Sequence, residues 1–218
     1  MIASDIDMPS PQPESELDEK LDVATISTDE VQPMEEDEPN ADDHEAMKRK
    51  FLPADPDLET LDEQMTVWHV DGYRSLENKV HSQTFTCGET PWRLLVFPFG
   101  NNNASDWCSC YLEHNFEEKP PESWYTCVQF LIVAYNPHDP SLYITNTASH
   151  RYNSDATDWG FNKFFELRKA VHGWHEPGGR PLLEGDSITF NIYVRTVKDP
   201  TGVLWHSFDK YARYFSPA

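Results

Sequence analysis

Short apolar runs separated by turn-forming residues dominate the sequence from about Met65 onward. The runs are rich in Val, Ile, Tyr, Phe and Trp, and clusters of Pro, Gly, Asn and Asp lie between them, which is typical of an all-β domain. The clearest run is Asp186–Val197, where strict alternation predicts a strand with one face on the core and the other in water. The predicted core face carries Ile188, Phe190, Ile192 and Val194, and the predicted wet face carries Thr189, Asn191, Tyr193 and Arg195.

A second run, Cys127–Tyr135, is apolar at both odd and even positions. This pattern predicts a central strand that is covered on both faces. Seven or eight strands in about 150 residues predict an antiparallel β-sandwich. The remaining predicted strands are Met65–Val70, Val80–Thr86, Trp92–Phe99, Cys108–Asn115 and Leu142–Tyr152.

The stretch from Ser149 to Val171 combines a polar run with an amphipathic one. The letters SDAT predict a turn, because these side chains hydrogen-bond to nearby backbone. Apolar residues then recur at spacings of three and four from Phe161 to Val171, which predicts a short amphipathic helix. Asp158, Trp159 and Gly160 lie at the junction. Two interpretations stay open for them: a helix-capping Asp beside a core Trp, or a peptide-binding groove in which Gly160 lets another backbone approach closely.

The charge of the chain is concentrated near its N-terminus. Residues 1–64 hold 21 Asp and Glu against 4 Lys and Arg, so they carry −17 of the net charge of −21. Because no aromatic residue precedes Phe51, residues 1–62 are predicted to be a disordered acidic arm. The only basic cluster is KRK at Lys48–Lys50, which is short for a nuclear-import signal.

Several classes of partner and location are disfavoured by composition. Neither the arm nor the rest of the chain has the excess of positive charge that nucleic acid or an anionic membrane surface would require. The first residues do not form a secretory signal, and no run approaches the roughly 20 apolar residues of a membrane span. We therefore expect a soluble protein of the nucleus, the cytoplasm or both.

Catalytic and cofactor motifs are missing from the sequence. It has no Gly-rich phosphate loop, no HExxH and no GxSxG. Four cysteines in an intracellular chain are expected to be reduced and buried. A zinc site would need Cys108 and Cys110 together with His172 and His175, and that spacing matches no usual ligand pattern. We expect no metal, no cofactor and no catalytic residue, and interpret the chain as a binding module.

Three separated motifs resemble one family. The runs "TPWRLLVFPFG", "SHRYNSDATDWGFNKF" and "GDSITFNIYVRTVKDPTGVLWHSF" occur in the order found in the meprin and TRAF homology (MATH) domain. The likeness is greatest to the MATH domain of the herpesvirus-associated ubiquitin-specific proteases, in particular their fungal members. The resemblance implies a TRAF-like β-sandwich over residues 63–208, and a linker over 209–218 toward a catalytic domain that this sequence does not contain.

The resemblance also implies a function and a site. In this family, client peptides with a Pro/Ala/Glu-x-x-Ser motif lie along a sheet edge as an added strand, and the residues matching Asp158, Trp159 and Gly160 contact them. Arg151 and Phe99 are assigned to the same peptide-binding set. A carboxylate suits the Ser hydroxyl, and an indole offers a rigid apolar surface. The family's Arg four positions before the Trp of "PW" is Gly88 here, so the peptide preference is expected to differ, unless Arg93 or Arg151 compensates.

The implied role is recruitment of clients, including ubiquitinated substrates of the parent protein, a ubiquitin-specific cysteine protease. The family's catalytic boxes, a Cys followed by Tyr and a distant His, have no match here, and Cys87 in "FTCGET" does not fit the first. The chain itself is therefore not expected to be an enzyme. The alternatives are a free-standing MATH adaptor of the ubiquitin pathway and a carbohydrate-binding sandwich with Trp and Tyr platforms.

Overall fold

A computed structural model describes residues 38–101 and 104–199 of the chain. Within these residues the chain forms nine strands, two short α-helices, α1 (His44–Phe51) and α2 (Leu167–His172), and single 3-10 turns at Tyr73–Ser75 and Glu184–Asp186. The strands are β1 (Thr60–Asp71), β2 (Val80–His81), β3 (Phe85–Cys87), β4 (Thr90–Phe97), β5 (Trp107–His114), β6 (Tyr125–Asn136), β7 (Asp139–Asn153), β8 (Asp158–Glu166) and β9 (Ser187–Val197).

The strands form two sheets that enclose one core. The first sheet has the order β1-β9-β6-β7 and the second has the order β2-β4-β5-β8, with β3 also paired to β4. All pairings are antiparallel. The predicted antiparallel sandwich is confirmed. Its core is filled by large side chains from both sheets, including Trp92, Leu112, Phe130, Tyr152, Phe165 and Phe190, each at most 1% exposed.

The outer face of β9 is buried, so the predicted wet face is wrong. Asn191 and Tyr193 are 0% and 2% exposed, because α1 and the segment after it lie across the outside of the first sheet. The side-chain amide of Asn191 donates to the carbonyl of Ala41 over 2.8 Å. The phenol of Tyr193 bonds to Nδ1 of His44 over 3.0 Å. Polar side chains on this face therefore exchange water for partners on α1 and its flanks.

Arg195, the last polar residue of that face, fixes the segment that follows α1. Its Nε donates to Glu63, and its two terminal nitrogens donate to the carbonyls of Leu52 and Pro53 over 3.0 Å each. Arg195 is 4% exposed, so the three bonds satisfy a buried charge. The fork of the guanidinium holds residues 52 and 53 at a fixed position on the sheet.

The prediction of a disordered arm over residues 1–62 is wrong for residues 38–62, and residues 1–37 lie outside the described part of the chain. The Asp43 side chain caps α1 by accepting from the N–H of Ala46 over 3.0 Å. Met47 is fully buried, and Lys48 of the KRK cluster donates to Glu63 over 2.8 Å. A high charge density is compatible with order here because charged side chains such as Asp43 and Lys48 have partners.

The helix predicted to begin at Phe161 is instead the second half of β8, and α2 begins only at Leu167. Predicted strand Val80–Thr86 is divided into β2 and β3. No helix among residues 38–101 and 104–199 is long and apolar enough to cross a membrane. The same residues contain no cluster of three or more His, Cys, Asp or Glu side chains that could hold a metal ion.

Candidate peptide-binding edge

Strand β8 is an edge strand of the second sheet. It pairs with β5 on one side and has no strand partner on the other side among the described residues. Pairing is regular over four residues, from Asp158 opposite Glu113 to Phe161 opposite Cys110. The register then shifts, so that residues 162–164 of β8 lie opposite Ser109 alone. The Ser109 hydroxyl donates to the carbonyl of Asn162 over 2.6 Å and holds this bulge.

Asp158 begins β8 and is exposed on the outer face of the second sheet. Cross-strand pairing places it in a row with Glu113 and Arg93. Arg93 donates its Nε to Glu113 over 2.7 Å, so this guanidinium is engaged beside Asp158. The alternative interpretation of Asp158 as a helix cap is wrong, because Glu166 occupies the cap position of α2.

Trp159 points to the opposite face, since neighbouring residues of a strand alternate. It pairs with the buried Leu112, and its indole stacks on the imidazole of His150 from β7 with ring centroids 4.1 Å apart and an interplanar angle of 3°. The indole is still 39% exposed. It therefore closes the edge of the sandwich with one face and offers the rest of its surface to solvent.

His150 is a neighbour of Trp159 that sequence reasoning did not single out. Its ring also meets Tyr152 in a T-shaped contact at 4.9 Å, and its Nε2 has no hydrogen-bond partner among the described residues. Burial lowers the pKa of His150 to about 4. The imidazole is therefore neutral near pH 7. In the sequence, only the alternation of residues along β7 could have indicated which face His150 is on.

Gly160 has a structural reason to be glycine. A Cβ at this position would lie 2.2 Å from the carbonyl oxygen of Cys110 and 2.6 Å from Cα of Tyr111. The close backbone approach predicted for Gly160 is therefore made by β5 of the same sheet. Gly160 therefore allows β8 to pack closely against β5, and its close contacts are not at the free edge of β8.

Arg151 and Phe99 are not brought together with Asp158 and Trp159. Arg151 pairs with Cys127 and so lies on the outer face of the first sheet, where its guanidinium stacks 3.8 Å from the ring centroid of Tyr125. Phe99 packs on Tyr73, which contacts Phe165 near the far end of β8. The assignment of these two residues to the peptide-binding set stays a prediction.

Gly88 belongs to the turn between β3 and β4. Its φ of +60° is in the left-handed region, its N–H donates to Asp62 over 2.8 Å, and a Cβ would lie 2.6 Å from Oγ1 of Thr196. Strands β4 and β5 lie between this turn and β8. An Arg at position 88 would therefore strain the turn and displace Thr196.

A groove of about 530 Å³ runs beside this edge, and we call it the edge groove. Its lining combines residues 159–161 of β8, residues 147–149 of β7, Gln129 of β6 and residues 51–56. Sequence reasoning missed the contribution of residues 51–56 because it assigned them to a disordered arm.

The comparisons with known proteins agree with this fold. A family model described as "MATH domain" matches residues 65–194, within the segment 63–208 assigned to the domain. Ubiquitin carboxyl-terminal hydrolases 5 and 15 of Schizosaccharomyces pombe are 36% and 34% identical to the chain, over 77% and 88% of its length. Hydrolase 15 of Saccharomyces cerevisiae is 38% identical over 72% of the chain.

The chain spans only 15%, 19% and 14% of the lengths of these three relatives. The family model, by contrast, covers more than half of this chain. The chain therefore belongs to the MATH domain family.

Proposed function

We propose that this chain recruits client proteins to a cysteine-type deubiquitinase by binding a short extended client segment as a strand added to β8. The observation that carries the proposal is the open edge at Asp158–Phe161 beside the partly exposed Trp159. Main-chain groups of such an edge bind an added strand, while pockets beside it select side chains. The similarity to fungal ubiquitin carboxyl-terminal hydrolases supports the enzymatic setting.

The alternation of side chains along β8 supports a Ser-containing motif. Asp158 and Trp159 point to opposite faces of the strand. Two residues three apart in an extended peptide also point to opposite faces. A client Ser can therefore donate its hydroxyl to Asp158 while the residue three positions earlier lies on the side of Trp159. A Pro/Ala/Glu-x-x-Ser segment has this separation.

The length of the regular edge supports a motif of about four residues. Pairing between β8 and β5 is regular only over Asp158–Phe161, and the bulge at residues 162–164 follows. An antiparallel added strand that places its Ser beside Asp158 puts the three preceding residues beside Trp159, Gly160 and Phe161. The regular edge and the motif then end together.

Calorimetric titration with a Pro-x-x-Ser or Ala-x-x-Ser peptide tests the site. We expect Asp158→Ala and Trp159→Ala each to weaken binding by about 30-fold, the effect of losing one dominant contact of about 2 kcal/mol. Asp155→Ala is the matched control for the carboxylate, because Asp155 is exposed nearby and pairs with Lys119. Val67→Ala is the control for the indole, since Val67 is 48% exposed on β1.

Two peptides of identical side chains test the added strand. Methylation of a peptide amide whose N–H faces β8 should abolish binding, because it removes a main-chain donor and adds bulk at the edge. Methylation of the next amide, which faces solvent, should leave binding unchanged. Equal affinities of both methylated peptides would exclude strand addition, and equal affinities of the wild type and both Ala variants would exclude the site.

A further inference from the structure

We propose that the segment 51–56 selects the client side chain that enters the edge groove: it accepts an apolar or cationic side chain and rejects a carboxylate, so that among the Pro, Ala and Glu alternatives of the motif this chain disfavours Glu. This inference rests on the proposed strand addition at β8. It concerns the second wall of the binding site, contributed by residues that precede the segment 65–194 matched by the family model.

The geometry of an added strand sends alternate side chains toward this wall. Side chains on the same face as Asp158 lie over the outer surface of the second sheet, beside Glu113. Those of opposite parity lie on the face of Trp159, which is the face that lines the edge groove. The residue before the client Ser and the residue three positions before it therefore point toward the segment 51–56.

The segment 51–56 is held in place by the rest of the domain. The buried guanidinium of Arg195 donates to the carbonyls of Leu52 and Pro53, and the carbonyl of Asp55 accepts from the N–H of Leu58 over 3.1 Å. Pro53 and Pro56 further restrict the backbone. A wall with this support is present before a peptide binds, so it can discriminate between side chains without an ordering penalty.

The chemistry of the edge groove is apolar with one charge. Its lining combines aromatic, aliphatic and proline side chains with the neutral polar side chains of Gln129, Thr147 and Ser149. Asp55 is the only ionisable group in this lining. Its Oδ1 accepts from the N–H of Asp57 over 3.0 Å, which fixes the orientation of the carboxylate. A client carboxylate entering the groove meets a like charge and no cation among the lining residues.

Three peptides that differ only at the position three before the Ser, with Ala, Lys or Glu, test the selection. For the wild type we expect the Lys and Ala peptides to bind about three- to fivefold more tightly than the Glu peptide, which is the range of a partly solvated charge pair. In Asp55→Asn the discrimination against Glu should disappear. The Asn side chain retains an oxygen that can accept from Asp57, so the turn is preserved.

Asp57→Asn is the matched control, because Asp57 is exposed, carries the same charge and does not line the edge groove. It should keep the wild-type preference. Raising the salt concentration should reduce the discrimination in the wild type and leave Asp55→Asn unchanged.

The two proposals fail in different ways. Binding that requires Asp158 but shows the same Ala-to-Glu ratio in the wild type and Asp55→Asn would overturn the role of the segment 51–56 alone. Binding that is insensitive to both Asp158→Ala and Trp159→Ala would overturn the site itself, and the inference with it. Loss of discrimination in Asp57→Asn as well as Asp55→Asn would show a general charge effect and overturn the selection by the wall.

Discussion

At the scale of single residues, the buried His150, which stacks on Trp159, makes the free energy of unfolding depend on pH. The pKa of His150 lies near 4 in the folded chain because the ring is buried, whereas an unfolded histidine titrates near 6.5. Between these values the unfolded chain binds more protons than the folded chain. The free energy of unfolding therefore falls as the pH falls from about 6.5 to about 4.

We predict that His150→Phe makes stability less sensitive to acid. Phe can keep the stack on Trp159 and cannot be protonated. Between pH 6.5 and 4 the wild type should lose about 1–2 kcal/mol of its free energy of unfolding through this group. The loss is smaller than for a fully buried ring, because His150 retains some contact with solvent and its charged form interacts favourably with the indole. Urea unfolding at several pH values measures the difference in slope. Parallel pH profiles for the two proteins would contradict the prediction.

The residue types of Asp158 and Trp159 drew attention to the junction and left two interpretations open, and the family resemblance assigned both residues to a peptide site. They did not identify His150 or Asp55, since both come to the edge through tertiary packing. Gly160 was recognised as a site of close approach, but a sequence does not tell which backbone approaches. That partner is β5.

At the scale of elements, β8 and α1 show why pattern reasoning was only partly successful. The apolar spacing of Phe161, Phe164 and Phe165 resembles a helix, yet it arises from a strand whose bulge places three residues opposite one. The alternation of β9 correctly predicted its core face. It could not show that α1 covers the other face, because a helix of 8 residues has no strong local signal and depends on packing for its stability.

We predict that Met47→Ala destabilises the domain by about 2–3 kcal/mol. Met47 is fully buried in a cluster with Leu131, Val133 and Tyr193, so truncation leaves a cavity. Arg49→Ala, on the exposed side of the same helix, should change stability by less than about 0.5 kcal/mol. Thermal or urea unfolding of the two variants checks this difference. Equal midpoints for Met47→Ala and the wild type would show that α1 does not contribute to the stability of the sandwich.

At the scale of the whole molecule, the sandwich places its thiols where they are poor nucleophiles. All four cysteines are buried. Burial raises the pKa of Cys87 to about 11 and that of Cys127 to about 12, and it raises the pKa of Cys110 well above its ordinary value. Nucleophilic cysteines are partly exposed and have a lowered pKa. Cys87, Cys110 and Cys127 therefore lack both properties.

We predict that the folded chain reacts slowly with a thiol-specific reagent at pH 8 and is not labelled by a ubiquitin probe that traps cysteine nucleophiles. Denaturation should release four rapidly reacting thiols, which is the internal control. Rapid modification of one thiol in the native state, or covalent attachment of the probe, would contradict this expectation. Mass spectrometry of the labelled chain would identify the residue.

The bulge in β8 also affects self-association. An open sheet edge is a template on which a second copy of the same protein can extend its own sheet, and long flat edges lead to aggregation. Here the regular edge ends after four residues, and the chain at 162–164 departs from the pleat. A strand from another sheet therefore cannot continue its ladder along β8, whereas a short flexible segment needs no more than the four residues available. The same irregularity that limits the regular edge to four residues thus protects it against extension by another sheet.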